Sequence, residues 1–175
     1  FNDVGSVYLG RVEDGRFVFR EAAGPAASEG AEVIGLLRPL EGEAALFADG
    51  VEEGVRLALA ESGRPLTLEV EGTRGAWTTV GEVARDLIED RHAVGLVTAL
   101  DPQGAHVAAQ VATRLRRPIA VAGESPELLA HTGVPWILTP EVSFEGSDSR
   151  LSADRTMAVS SGYQAARRLL EQLDH

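Results

Sequence analysis

Few side chains in this sequence have the types and spacing for chemistry. There is no cysteine, so thiolate nucleophiles, zinc–thiolate sites and disulfides are excluded together. All 16 basic side chains are arginine, and without lysine there is no Schiff base, no P-loop and no kinase-type phosphate clamp. His92, His106 and His131 stand fourteen and twenty-five residues apart in separate elements. That is far from the close pairs of zinc hydrolases, so they read as surface or helix-face residues and no metal is expected. Ser160-Ser161-Gly162 offers hydroxyls, but no G-x-S-x-G elbow surrounds them, and they are expected near the start of a final helix. Gly35 and Gly42 do not make a G-x-G-x-x-G turn, so no dinucleotide site is expected.

Carboxylates remain. Glu41, Glu43, Asp101 and Glu124 each follow a short apolar run. A crevice lined by them repels anions and suits an amine, a cation or another protein's arginine. No histidine or lysine accompanies them to complete an acid, base and nucleophile, so the chain reads as non-enzymatic, with no cofactor. Asp101-Pro102 and Ser125-Pro126 also have the form of helix starts, and an N-cap role for Asp101 is the simpler reading.

The elements that must position these residues follow from periodicity. With 44% hydrophobic and 25% charged residues the chain is an ordinary globular sequence. No apolar run nears the ~18–20 residues of a membrane span. A net charge of −11 argues against a nucleic-acid partner. The chain opens on Phe1 with no signal-peptide pattern, as expected of a processed or partial product.

Residues 4–12 and 16–20 carry β-formers on either side of Asp14-Gly15, a hairpin signal. Residues 22–30 (AAGPAASEG) read as a linker, so residues 1–31 are expected to form a hairpin appendage. Residues 32–175 are expected to form one α/β domain. In it, strands at 33–37, 66–70, 93–99, 119–122 and 136–138 alternate with helices. The first helix presents Phe47, Val51, Val55 and Leu59 inward and stops at Gly63. The second opens on a Thr79/Glu82 capping box and buries Val80, Val83, Ala84 and Leu87. The third turns Val107, Ala108, Val111 and Leu115 inward, and the last turns Tyr163, Ala166, Leu170 and Leu173. Such alternation implies a doubly wound, mainly parallel sheet of Rossmann or flavodoxin-like type, with strand order near 2-1-3-4-5 and ligands at its carboxyl edge.

Several segments resemble one family in order and spacing. Val33-Ile34-Gly35-Leu36-Leu37-Arg38-Pro39-Leu40-Glu41-Gly42, then Phe47 through Val55, resembles the opening of type I periplasmic solute-binding proteins. These are the leucine/isoleucine/valine-binding receptors of ABC importers. Their G-x-x-x-P-L-S/T-G strand and turn precede a G-x-x-x-x-x-G helix. Residues 68–75 (LEVEGTRG) are similar to the family's second strand and turn. Residues 94–100 and 118–128 (PIAVAGESPEL) are similar to its third strand and its P-x-I-x-x-x-A/S-x-x-P-x-L segment. Ser161-Gly162-Tyr163-Gln164-Ala165-Ala166-Arg167-Arg168-Leu169-Leu170 resembles its G-Y-D-A-A-x-x-L helix. The match covers about residues 32–136 and 160–173.

The resemblance implies a periplasmic or extracellular lobe, and the chain departs from the pattern in two ways. The sequence runs from Trp136 to the terminal helix within a few dozen residues, so the second lobe is expected to be missing. The family holds its ligand with small and hydroxyl residues after the third and fourth strands, and by position those places are Asp101, Ala122 and Glu124. Ala122 can offer only its backbone, while Asp101 and Glu124 oppose a ligand carboxylate. The function implied is a receptor-like lobe turned to protein–protein association or an accessory subunit. The interface candidates are Tyr8, Phe17 and Phe19 in the hairpin and Trp77 in the turn before a helix. The alternative is a solute-binding component, a fragment or half-receptor, for a small amine or amino-acid-like ligand. Trp136, Phe47 and Tyr163 read as packing residues.

Overall fold

Alternation with a period of two builds a ribbon at one end of the chain, and apolar runs spaced by helices build a layered sheet in the rest. In a computed structural model, residues 7–13, 16–22, 30–74, 77–122, 137–138 and 150–174 are described. They belong to two compact units, Phe1–Ala31 and Glu32–His175.

In the first unit β1 (Val7–Glu13) pairs antiparallel with β2 (Arg16–Ala22), from Val7 opposite Ala22 to Glu13 opposite Arg16. Among the described residues the pairing runs one residue past the expected strand end at 12 and two past that at 20, to Glu13 and Ala22. Residues 14–15 and 23–29 lie outside the described set.

The second unit runs β3 (Glu32–Pro39), α1 (Glu43–Glu61), β4 (Leu66–Thr73), α2 (Trp77–Glu89), β5 (Ala93–Thr98), α3 (Pro102–Arg114), β6 (Ile119–Val121), β7 (Ile137–Leu138) and α4 (Arg150–Leu173). Its sheet has the order β4-β3-β5-β6-β7 with every pair parallel. Counted from β3 this is the 2-1-3-4-5 arrangement expected of a doubly wound fold. β3 and β5 are near-continuous apolar runs because both of their faces are covered. Leu36 packs with α1 and α4 on one side, while the next residue, Leu37, packs with α2 on the other.

Three helices differ in detail from the expectation. α2 begins at Trp77, so Thr79 sits inside its first turn rather than capping it, and Trp77 is helical rather than in the turn before. Val80, Ala84 and Leu87 are nevertheless buried, as their spacing required. α3 buries Gly104, Ala105, Ala108, Ala109 and Ala112, whereas Val107, Val111 and Leu115 are only partly covered. The small side chains let α3 lie close to the sheet, and the larger ones fill its flanks. α4 begins at Arg150, which puts Ser160 and Ser161 in mid-helix, with Ser161 buried.

α4 and α1 approach nearly backbone to backbone. A Cβ on Gly54 would run into the Val159 carbonyl and come within 2.7 Å of Tyr163 N, and one on Gly50 would lie 2.6 Å from Ala158 Cβ. Gly162 returns the fit against the Val51 backbone. The predicted stop of α1 is present: Gly63 has φ +67, the left-handed conformation glycine adopts without steric cost.

Candidate functional site

Where the four described strand ends β3 to β6 meet, the backbone is stitched across the carboxyl edge. Leu40 N–H donates to Thr73 O (3.2 Å), Ala99 N–H to Leu37 O (2.9 Å) and Ala122 N–H to Thr98 O (2.8 Å). Thr98 is fully buried and its hydroxyl accepts from Leu100 N–H at 3.3 Å. Thr73, at the end of β4, is 2% exposed, and its hydroxyl has no partner among the described residues. Neither threonine stood out in the sequence, because a strand threonine is ordinarily a β-former and only register reveals which one ends at the edge.

Three of the four carboxylates singled out from the sequence lie along this edge. Asp101 is exposed and caps α3: its Oδ1 accepts from Gly104 N–H at 2.7 Å, with Pro102 beginning the helix. The positive end of α3 is therefore already matched by a carboxylate of the chain itself. Glu43 lies in the first turn of α1, where a negative charge is also favourable. Gly42, the N-cap of α1, supplies no side-chain cap. Glu41 reaches Arg74 at 3.6 Å, a pair so exposed that it contributes little. Ala122 is buried with its N–H held in the sheet, so that amide is not presented to a ligand. Glu124 and the Ser125-Pro126 helix start lie outside the described residues, as do His131 and Trp136. Among the described residues no group of three histidine or carboxylate side chains is placed to hold a metal ion.

Beneath the edge, Arg38 ties the end of β3 to α1. Its guanidinium donates to Glu52 (2.8 Å), to Asp49 and to Ala45 O (3.2 Å), and its Nε is buried with no partner among the described residues. Burial alone would lower the basicity of this group, but the bonds and charges of Asp49 and Glu52 outweigh it and raise the pKa. Asp49 and Glu52 are three apart and share a helix face, a signal present in the sequence whose partner only the fold identifies.

Away from this edge, an open groove of about 610 Å³ lies between α1 and α4. Leu57, Val159 and Tyr163 give its apolar lining, with Glu61, Arg155 and Ser160 at the margin. Of the interface candidates, Tyr8 pairs with Glu21, Phe17 with Val12 and Phe19 with Gly10 in the β1–β2 register. Trp77 opens α2 in the other unit.

The layered sheet, its strand order and the returning α4 define one lobe of the type I periplasmic binding protein fold. An ABC transporter substrate-binding protein from Sphaerobacter thermophilus superposes with a TM-score of 0.58 at 21% identity, covering 82% of this chain and 45% of its own. A leucine-binding protein from Thermotoga maritima gives 0.54 at 19%, covering 62% and 32%. A solute-binding protein from Rhodopseudomonas palustris, solved with benzoate, gives 0.57 at 20%, covering 63% and 32%. The chain thus spans 32–45% of the length of these proteins. No protein-family model matches the sequence, and none of the curated proteins does. Residues 139–149 alone join β7 to α4, eleven positions, too few for a domain of at least ~50 residues to be inserted there.

Among the described residues no helix is long and apolar enough to cross a membrane.

Proposed function

We propose that this chain is a non-enzymatic, extracytoplasmic, receptor-like lobe that works by associating with another protein chain. One observation carries the reading. The helix end that would receive a ligand's anionic group is occupied by the chain's own Asp101, bonded to Gly104 N–H at 2.7 Å. The short β7–α4 connection supports it, because it has no room for a second, solute-enclosing lobe inserted between those two elements. The β1–β2 ribbon supports it as well: two strands are marginal alone, and a ribbon whose sequence carries Tyr8, Phe17 and Phe19 is suited to a partner. Native mass by light scattering on material from its source, with identification of any co-purifying chain, tests this. A defined assembly is expected, and a partner-free monomer refutes the reading.

A second reading, a half-receptor for a small amine or amino-acid-like solute, is favoured by one feature. Exposed Asp101, Glu41 and Glu43 gather at the edge where open α/β folds place ligands. Under that reading a saturating amine stabilises the protein by ~2.7 kcal/mol at a hundredfold excess over its dissociation constant. A solute panel including polyamines that leaves the melting temperature unmoved refutes it.

A further inference from the structure

The α1–α4 groove has features that the carboxyl edge does not explain. On α1, Leu46, Glu53, Leu57 and Glu61 fall on one stripe, seven, four and four residues apart. On α4, Arg155, Val159, Tyr163 and Arg167 recur every four residues. Leu46 and Leu57 are 73% and 44% exposed, so the α1 stripe alternates uncovered leucine with glutamate. The α4 stripe encloses its apolar pair between two arginines. The stripes lie on either side of the groove at matching heights, because Arg155 bonds Glu53 at 2.9 Å and the Tyr163 hydroxyl donates to Glu61 at 2.7 Å.

We infer that this face is a two-fold interface between copies of the chain. The inference names the partner left open by the association reading and rests on that reading. Consider an axis running along the groove. It brings α1 of one copy over α4 of the other, and rotation about it leaves height along the groove unchanged. Glu53 of each copy then faces Arg155 of the other, and Glu61 faces the Tyr163–Arg167 end. The four charges of Glu53 and Arg155 alternate in sign around the axis, while Leu57 and Val159 close over the groove at the centre. An acidic stripe beside a basic one is self-complementary in this arrangement, as an isologous contact requires. The α1 stripe from Leu46 to Glu61 is ~22 Å long and two helices side by side are ~20 Å wide, about 440 Å² per copy, the footprint of a weak, reversible dimer that forms at high protein concentration. On a chain of net charge −11, which resists self-association, a locally balanced face is the place where two copies can meet.

The test uses charge reversal on the whole chain. Glu53→Arg makes the margin of its own face basic, and Arg155→Glu makes it acidic. Wild-type protein is expected to be a dimer by light scattering, and each variant alone a monomer with unchanged helical circular dichroism. An equimolar mixture of the two variants is expected to regain dimer mass, because two arginines at positions 53 and 155 of one copy then meet two glutamates at those positions of the other. Leu57→Ser, an exposed position, gives a second disruption independent of charge. A wild-type monomer at concentrations up to ~200 µM overturns the inference. A wild-type dimer that survives all three substitutions also overturns it, while leaving the broader association reading standing. A monomer that co-purifies with a different protein likewise separates the two, whereas a monomer with no partner ends both.

Discussion

Replacing Gly54 by alanine should destabilise the protein, although helix propensity alone says the reverse. In a helix interior alanine is favoured over glycine by about 1 kcal/mol. At Gly54, however, the added methyl would run into the Val159 carbonyl and come within 2.7 Å of Tyr163 N, and both atoms are backbone. No side chain can rotate away, so α4 as a whole must shift, and overpacking of this kind costs about 1–3 kcal/mol or more. Contact this close with backbone puts the cost at the top of that range, so the net expectation is a loss of about 2 kcal/mol, a fall in melting temperature of roughly 4–8 °C at this chain length. Gly81, inside α2, supplies the control: its Cβ would meet only Val107 and Val111 at 3.7 and 3.9 Å, ordinary contact distances. Gly81→Ala should therefore stabilise by about 0.5–1 kcal/mol. Urea unfolding of both variants, followed by far-ultraviolet circular dichroism, reads the two signs directly. A stabilised Gly54→Ala protein would refute the close approach of α1 and α4, and with it the placement of the groove.

Four further outcomes are expected. Asp101→Ala should cost about 1 kcal/mol through loss of the α3 cap, read from the urea midpoint, and Asp101→Asn should recover most of it. Leu87→Ala, at a fully buried α2 position, should cost about 2–5 kcal/mol, measured the same way. Arg91 bridges Glu69 (3.0 Å), Glu71 (2.9 Å) and Asp86 (3.2 Å), so Arg91→Ala leaves three neighbouring carboxylates and should lower the urea midpoint. That loss should shrink in ~1 M salt. The bond to Glu61, with partial burial and the Glu61 charge, raises the Tyr163 phenol above its ordinary 10.0. The raised folded-state pKa makes this contribution fully present below about pH 10 and lost as pH climbs through the folded value. Phenolate absorbance in a Tyr8→Phe background should titrate late, and Glu61→Gln should bring it back towards the ordinary range.

Periodicity made much of the architecture legible. Val51, Val55 and Leu59, spaced four apart, are buried on α1, and Asp101-Pro102 begins α3 as its residue types require. The start of α2 was not legible, because Thr79 and Glu82 imitate a capping box while the helix already runs from Trp77. Neither was the true inner face of α3, since alanine carries little periodic signal and the valines beside it dominate the pattern. At the carboxyl edge, the cap role of Asp101 could be read from sequence. The capture of the Ala122 amide by Thr98, and the orphaned hydroxyl of Thr73, depend on strand register and could not.

Local chemistry written in the sequence decided the doubly wound class, the strand order and the exclusion of thiol and lysine chemistry. These follow from residue type and from spacings of a few positions, which act within one element or between successive ones. Tertiary structure decided which small residues mattered. Gly50 and Gly54 look like ordinary helix interruptions until Ala158, Val159 and Tyr163, more than a hundred positions later, come against them. It also decided that Glu53 meets Arg155 and that Glu61 meets Tyr163, pairs separated by 102 residues. No short-range rule links such distant positions. They meet because burying the apolar faces of α1 and α4 on one side of the same sheet leaves the two helices no other place to lie.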